Sequence, residues 1–330
     1  MDCARRHFRL WSESLRENVV LDEARGTMDD QSAGSLPFRK ILHLTDFSHC
    51  SDAALILAAG LARANAATLS VLHAVVPDAF TYMTPDSLAA AFELQEKWAL
   101  GEMQRVEARI ADLPHETIVV QGGDVWSAVE PRLKQLGSDL IVLGTHGRTG
   151  LPKMLMGSVA ERVLRSSTVP VMTVGPAVPL GLGGDGKFHR VLLATDFAAG
   201  SAEAACYAMS VAQRDQAELV LVHTCKKSKP RGSDKGWELS VAEALHRLDE
   251  TIPCSEKLRS RTEMVVEYGE PGVRIVEVAK RKEADLIVMG IRNTANLFTA
   301  THLEIGTAHN VVAQAPCPVL TVRPRVRQAA

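Results

Sequence analysis

The residues best suited to chemistry lie in Gly144-Thr-His-Gly147, followed after nine residues by Gly157-Ser158. Glycines let a backbone approach a bulky anion. The N–H groups at a helix start then face that anion, with the positive end of the helix dipole behind them. The chemistry on offer is capture of a polyphosphate. A single glycine pair would carry little weight, because tight turns use glycine anyway. Here three glycines and a serine at an N-cap position lie between an apolar run, Asp139-Leu-Ile-Val-Leu143, and an amphipathic one, Val159 to Arg165. That context reads as buried strand, loop and helix start.

A second group joins the loop. Asp46 closes the run Lys40-Ile-Leu-His-Leu-Thr-Asp46. Alone it reads as a polar cap on a strand; beside the glycine loop it reads as a ligand carboxylate. His146, inside the loop, could meet phosphate or hydrogen-bond within the turn, and its position does not choose between these. Arg148 and Lys153 bring charge to the same loop. His73 and His223 follow apolar strand residues and read as buried, satisfied histidines. No nucleophile–base constellation, no G-x-x-x-x-G-K-[ST] and no S-G-G-x-D-S or H-x-G-H signature is present.

Stepping from the loop to the whole chain, the sequence states its pattern twice. Lys40 to Asp46 returns as Arg190 to Asp196, Leu69-Ser-Val-Leu-His73 as Leu219-Val-Leu-Val-His223, and Ser-Asp139 to Gly144 as Ala-Asp285 to Gly290. Val169 to Val174 likewise returns as Cys317 to Val322. The period of 150 residues is that of a domain rather than of a solenoid repeat. The 330 residues therefore form a tandem duplication, each half large enough for its own core.

Composition narrows the function classes. A net charge of −2 gives no electrostatic case for nucleic acid or an anionic membrane. No apolar run approaches the roughly 18 residues of a membrane span, and the basic N-terminus lacks an apolar signal core. The basic residues Lys226, Lys227, Lys229 and Arg231 read as a solvated loop. None of the six cysteines forms a C-x-x-C pair, and no histidine cluster has zinc spacing, as expected for reduced thiols in a cytoplasmic protein. The long helical pattern carrying Phe92, Trp98 and Met103 reads as packing, an effector-facing surface being the minority reading.

Elements that position the loop follow from periodicity. Strands are predicted over 41–45, 68–76, 116–121, 139–143 and 169–174, and helices over 51–65, 84–112, 125–136 and 158–166. Strand–helix alternation with continuously apolar strands implies an α/β fold: doubly wound domains, each a parallel sheet with helices on both faces. Residues 1–37 form an N-terminal extension without a counterpart, expected to be flexible, with Met28 as an alternative start. The first domain is expected over 38–175, the linker over 176–188, the second domain over 189–324 and a tail over 325–330.

With the Asp-ended strand and the G-x2-G-x9-G-S loop in place, the chain resembles the universal stress protein family in tandem arrangement, within the adenine nucleotide alpha hydrolase-like folds. The resemblance covers about 39–175 and 189–323. It implies five-stranded parallel sheets in the order 3-2-1-4-5, with ATP at the carboxyl ends of strands one and four. By position it implies that Thr45 and Asp46 line the adenosine side and that the backbone of Ala74 faces the adenine. It further implies that Gly144 and Gly147 pass close to ribose and phosphates, while Gly157, Ser158 and Val159 present N–H groups to phosphate. His146 and Arg148 belong to the same expected site.

The second half departs at the decisive place. Asp196 and Gly290 are kept, but Asn293 replaces the second glycine, and twelve residues rather than nine precede Gly306-Thr307. This half is expected to be degenerate and mainly structural. The resulting reading is an ATP-binding regulatory or stress-response protein, with Mg²⁺ expected only alongside the triphosphate. Its alternatives are a slow ATPase or nucleotide-transferring enzyme, and a non-nucleotide interaction scaffold. An intramolecular pseudo-dimer through the last strands is expected, because unpaired edges are liabilities. Further homodimerisation and an unknown protein effector stay open.

Overall fold

The computed structural model of the protein describes residues 38–76, 85–147, 156–225, 235–252, 256–291 and 303–324. The expected N-terminal extension (1–37), the tail (325–330), Arg148, Lys153 and Asn293 lie outside the described residues. The chain divides into two compact units, with the boundary between Lys187 and Phe188.

In the first unit the strands are β1 (Lys40–Leu44), β2 (Thr68–Val75), β3 (His115–Gln121), β4 (Leu140–Gly144) and β5 (Val171–Val174). The helices are α1 (His49–Asn65), α2 (Pro85–Ile110), α3 (Val125–Leu136) and α4 (Ser158–Ser166). All pairings are parallel, in the order β3-β2-β1-β4-β5. The chain first winds outward from β1 to β3, then returns past β1 to β4 and β5. Because such crossovers are right-handed, reversing the direction puts the later helices on the opposite face. Both faces are thereby covered, which is why Ile41, Leu42, Leu69, Val71, Leu140, Ile141 and Val142 are all fully buried.

Local signals set the helix ends. Ser48 caps α1, its Oγ accepting from Ser51 N–H, and Asp124 caps α3, accepting from the N–H groups of Trp126 and Ser127. Along α2, Ala99, Met103, Val106 and Ile110 form the buried stripe. Asp139 ties the sheet's amino-terminal edge, accepting from Arg39 N–H (2.7 Å) and Lys40 N–H (3.1 Å).

The second unit repeats the plan with β6 (Arg190–Thr195), β7 (Glu218–Cys225), β8 (Thr262–Tyr268), β9 (Leu286–Gly290) and β10 (Val319–Val322). Its helices are α5 (Ala199–Asp215), α6 (Lys235–Thr251), the short α7 (Glu256–Arg259), α8 (Pro271–Arg281) and α9 (Leu303–Gln314). The order is β8-β7-β6-β9-β10, again wholly parallel. Asp285 reproduces the Asp139 tie, accepting from His189 and Arg190 N–H groups. The turn α7 has no counterpart in the first unit. No described helix is long and apolar enough to cross a membrane.

The glycine-rich linker is packed rather than free. A Cβ on Gly60 of α1 would lie 2.4 Å from the Gly184 carbonyl oxygen, and one on Gly186 would lie 2.2 Å from the Gly60 oxygen. Gly186 also has φ +73°, a conformation that favours glycine. The backbone of the linker thus lies directly on α1, and only glycine fits on either side. Gly60→Val is expected to cost about 1–3 kcal/mol, and to expose residues 176–187 to limited proteolysis. A denaturant melt and a protease time course on the full chain check both.

His43 is a polar residue at the centre of this core, fully buried, with Nδ1 donating to the Val142 carbonyl at 3.1 Å. Its Nε2 has no hydrogen-bond partner, so a proton there would be buried without an acceptor. Burial accordingly pulls the pKa down to about 4, against the raising influence of the Val142 hydrogen bond. A folded-state pKa below the unfolded value of about 6.5 means stability is complete above that pH and falls as the pH drops towards 4. The span corresponds to roughly 3 kcal/mol at most. The repeat carries Leu193 at the same position. His43→Leu should therefore flatten the acid limb of a stability–pH profile between pH 6.5 and 4 and leave neutral stability close to unchanged.

Candidate functional site

The site follows from strand order. β1 has β2 on one side and β4 on the other, with Leu44 in register with both Leu72 and Leu143. The loops leaving β1 and β4 diverge to opposite faces, opening a crevice at the carboxyl edge where ligands bind in open α/β sheets. The Asp46 turn and the glycine loop occupy the two sides of that crevice.

The Asp46 turn is tightly built. Phe47 has φ +60°, rare for a bulky residue. It is held because its N–H donates to Thr45 Oγ1 (3.0 Å) while Ser48 N–H donates to Asp46 Oδ1 (3.0 Å). Ser51 Oγ donates to Thr45 Oγ1 at 2.8 Å. His73 Nδ1 donates to the Thr45 carbonyl (2.8 Å), and its ring lies 4.6 Å from that of Phe47. Trp98 of α2 closes on Phe47 edge-on at 5.3 Å. His73 is thus a positioning group for the turn, satisfied within the fold. Burial lowers the pKa of its counterpart His223, which holds the Thr195 carbonyl in the same way.

Across the crevice, Ser48 Oγ donates to the His146 carbonyl at 3.1 Å, joining the two loops. A Cβ on Gly147 would stand 2.7 Å from Asp46 Oδ2, so the loop backbone lies directly on the carboxylate. His146 is buried; its Nδ1 bonds with Thr145 Oγ1 at 2.9 Å, while Nε2 is enclosed without a hydrogen-bond partner. Its ring therefore serves the turn through one nitrogen. Burial raises the thiol pKa of Cys50 nearby, which disfavours the thiolate.

One expectation changes. Gly157 N–H is not presented outward, because it donates to the Thr145 carbonyl at 2.8 Å and so fixes the loop onto α4. Intrahelical bonding begins with Glu161 N–H to the Gly157 carbonyl, leaving Ser158, Val159 and Ala160 N–H groups as the open donors. Gly144 has a packing role in addition to the one expected. A Cβ there would lie 2.8 Å from the backbone of Cys50 and Ser51, so glycine is required for the approach of α1 to β4. A Cβ on its counterpart Gly290 would lie 2.4 Å from the Gly200 backbone, for the same reason.

The structure brings together Thr45, Asp46, His146, Gly147, Gly157, Ser158 and Val159; Ala74 lies half-buried at the end of neighbouring β2. Ser48, Ser51 and Thr145 complete the turn network; the sequence marks a helix cap near Ser48 or Ser51, and Thr145 lies within the glycine motif, but nothing in it joins the three to Asp46. The assembly offers three outward N–H donors for an anion and a fixed carboxylate for hydroxyl or amine groups.

In the second unit the Asp196 turn is kept, with Phe197 at φ +58° and Ala198 N–H donating to Asp196 Oδ1. The helix start is not kept. α9 begins at Leu303, so the N–H groups of Gly306, Thr307 and Ala308 fall inside the helix and bond to preceding carbonyls. The longer loop has continued as an extra turn of helix. A Cβ on Gly306 would meet no atom of the described residues within 4 Å.

Comparison with known proteins establishes the family. The universal stress protein family model matches residues 37–175 and again 187–323. The chain belongs to the universal stress protein family. A universal stress protein of Mycolicibacterium smegmatis is 28% identical over 304 residues, covering 86% of this chain and 97% of its own length. One from Thermus aquaticus is 32% identical over 139 residues, 41% of this chain and 99% of that protein. A crystal structure of a universal stress protein from Archaeoglobus fulgidus superposes with a TM-score of 0.60 at 24% identity, covering 88% of this chain and all of that one; it shares the fold.

The glycines of the two motif copies should therefore behave differently. Gly144→Ala forces backbone apart and should cost about 1–3 kcal/mol. Gly306→Ala, in a helix interior with no described atom near the added Cβ, should be neutral or stabilise by about 0.5–1 kcal/mol. Paired denaturant melts of the full chain measure both.

Proposed function

We propose that the first domain binds ATP and that the protein acts as a nucleotide-dependent regulator of the universal stress type. The observation that carries this reading is the open start of α4, with three unsatisfied N–H groups, set beside a glycine backbone packed on Asp46 at the point where strand order reverses. The triphosphate sits at the helix start, where His146 Nε2 provides a further polar contact. Asp46 meets the ribose hydroxyls, and the base lies towards Thr45 and the backbone of Ala74. Among the described residues no group of three His, Cys, Asp or Glu side chains could hold a metal ion. Mg²⁺ therefore enters with the triphosphate oxygens. The second domain does not share this activity, because its equivalent N–H groups are consumed inside α9.

The test is to denature freshly purified protein, identify released nucleotide by mass spectrometry, and titrate ATP into nucleotide-free protein by calorimetry. About one ATP per chain is expected. Gly147→Val, which drives a side chain into Asp46, should weaken binding at least about a hundredfold, roughly 3 kcal/mol. Recovery of mainly ADP would indicate slow hydrolysis at the same site. No binding to the wild-type protein would overturn the reading.

A further inference from the structure

Trp98 lies where α2 passes from an exposed half to a buried one. Over 86–98 no side chain of the helix is fully buried, and the buried stripe begins only at Ala99. Trp98 itself is 42% exposed. So large a residue in a surface position adds little to the core, and its value lies in what the covered part of its ring touches.

Two rings lie against it. Trp98 stands edge-on to Phe47, with centroids 5.3 Å apart and planes at 88°, and lies 6.2 Å from His73 at 73°. Phe47 and His73 are 4.6 Å apart, so the three rings form a closed cluster. Edge-to-face contacts of this kind are favourable because the positive edge of one ring meets the negative face of another. Both partners of Trp98 shape the Asp46 turn. Phe47 is its left-handed residue, at φ +60°, and His73 holds the Thr45 carbonyl.

The second unit fills the same place in its own way. Phe197, at φ +58°, and His223 repeat the pair at 4.5 Å, and Phe197 N–H again donates to a threonine hydroxyl, that of Thr195. Beside that phenylalanine stands the Arg247 guanidinium, 5.7 Å from the ring centroid. Indole and guanidinium are chemically unrelated but share an attraction to an aromatic ring. A bulky residue at positive φ persists only where its neighbours over-determine it, and a group closing on the ring supplies part of that constraint.

The crevice depends on the result. If Phe47 relaxed to negative φ, the residues flanking it would move with it. Ser48 N–H would leave Asp46 Oδ1, and Ser48 Oγ would leave the His146 carbonyl that joins the two loops. The Asp46 carboxylate would no longer be fixed against the Gly147 backbone. A ligand that needs the formed turn binds in proportion to the fraction of molecules that have it.

We infer that Trp98 is a positioning residue for the crevice of the first domain. Its indole closes the Phe47–His73 stack, keeps Phe47 left-handed and so holds Asp46 and Ser48 in place for the ligand. The consequence for affinity rests on the reading of this crevice as an ATP site.

The experiment uses the full chain as wild type, Trp98→Ala, Trp98→Phe and Leu94→Ala. Hydrogen exchange of the ligand-free proteins is read residue by residue by NMR, and ATP is titrated by calorimetry. Trp98→Ala should speed exchange of the Phe47 and Ser48 amides, bonded to Thr45 Oγ1 and Asp46 Oδ1, by about tenfold or more, while amides over 103–110 exchange as before. It should weaken ATP by about threefold or more. Trp98→Phe keeps a ring and should bring both quantities back to within about twofold of wild type. Leu94→Ala removes a side chain that is 71% exposed, one turn earlier on the same face, and should change neither. Wild-type exchange at Phe47 and Ser48 in Trp98→Ala, a loss that Trp98→Phe does not repair, or the same loss from Leu94→Ala would overturn the inference. So would faster exchange extending through 103–110, which marks a general loosening of α2, or faster exchange at the turn with full ATP affinity. A wild type that binds no ATP would overturn the reading of the crevice as an ATP site, and the exchange comparison alone would then decide the role of Trp98.

Discussion

The parallel pairing of β1 with β4, with Leu44 in register with Leu143, is the constraint on which the first domain depends. It places residues about a hundred positions apart in sequence at one edge, so that the Asp46 turn and the glycine loop face each other. The pairing in turn depends on a helix lying close to the strand. Cys50 and Ser51 at the start of α1 approach Gly144 so closely that a Cβ would collide with their backbone. The first glycine of the motif therefore closes the fold, and the later ones shape the site. β6 and β9 repeat the arrangement through Gly290 and Gly200.

Given that frame, the chemistry of each domain is set by where one helix begins. Ser158 is the first residue of α4, whereas Thr307, its counterpart in the motif, is preceded by a turn of α9. The difference is small in chain length and large in consequence. Donors that face outward at a helix start are satisfied internally one turn later. Duplication thus yields two crevices of the same origin, each with an aspartate on the turn after its first strand, that differ in where the following helix begins.

The turn after the first strand is conserved between the halves as a physical device. Phe47 and Phe197 both adopt a left-handed backbone, each held by a threonine hydroxyl and stacked on a histidine that bonds the preceding carbonyl. Such strain persists only where surrounding contacts over-determine it. Here they keep the aspartate fixed at the crevice in both domains. What lies behind the phenylalanine differs, with Trp98 in the first domain and the Arg247 guanidinium over the ring in the second.

Much of the fold was legible in the residues, because buried parallel strands must be continuously apolar and their connecting helices must be amphipathic. The predicted elements of the first half fall within a few residues of those observed, and the family resemblance supplied the strand order. The loop spacing also marked the second half as different. Several features were not legible. Nothing in the spacing showed that Gly157 N–H is already committed to Thr145, or that Gly144 serves packing, since both depend on contacts across the crevice. The linker looked like a simple spacer, yet its glycines are matched to Gly60 on α1. The sequence alone determined the duplicated α/β plan and the chemical types of the site residues, because periodicity and composition are local properties. The tertiary structure decided which N–H groups remain open, because satisfaction of a polar group depends on neighbours distant in the chain.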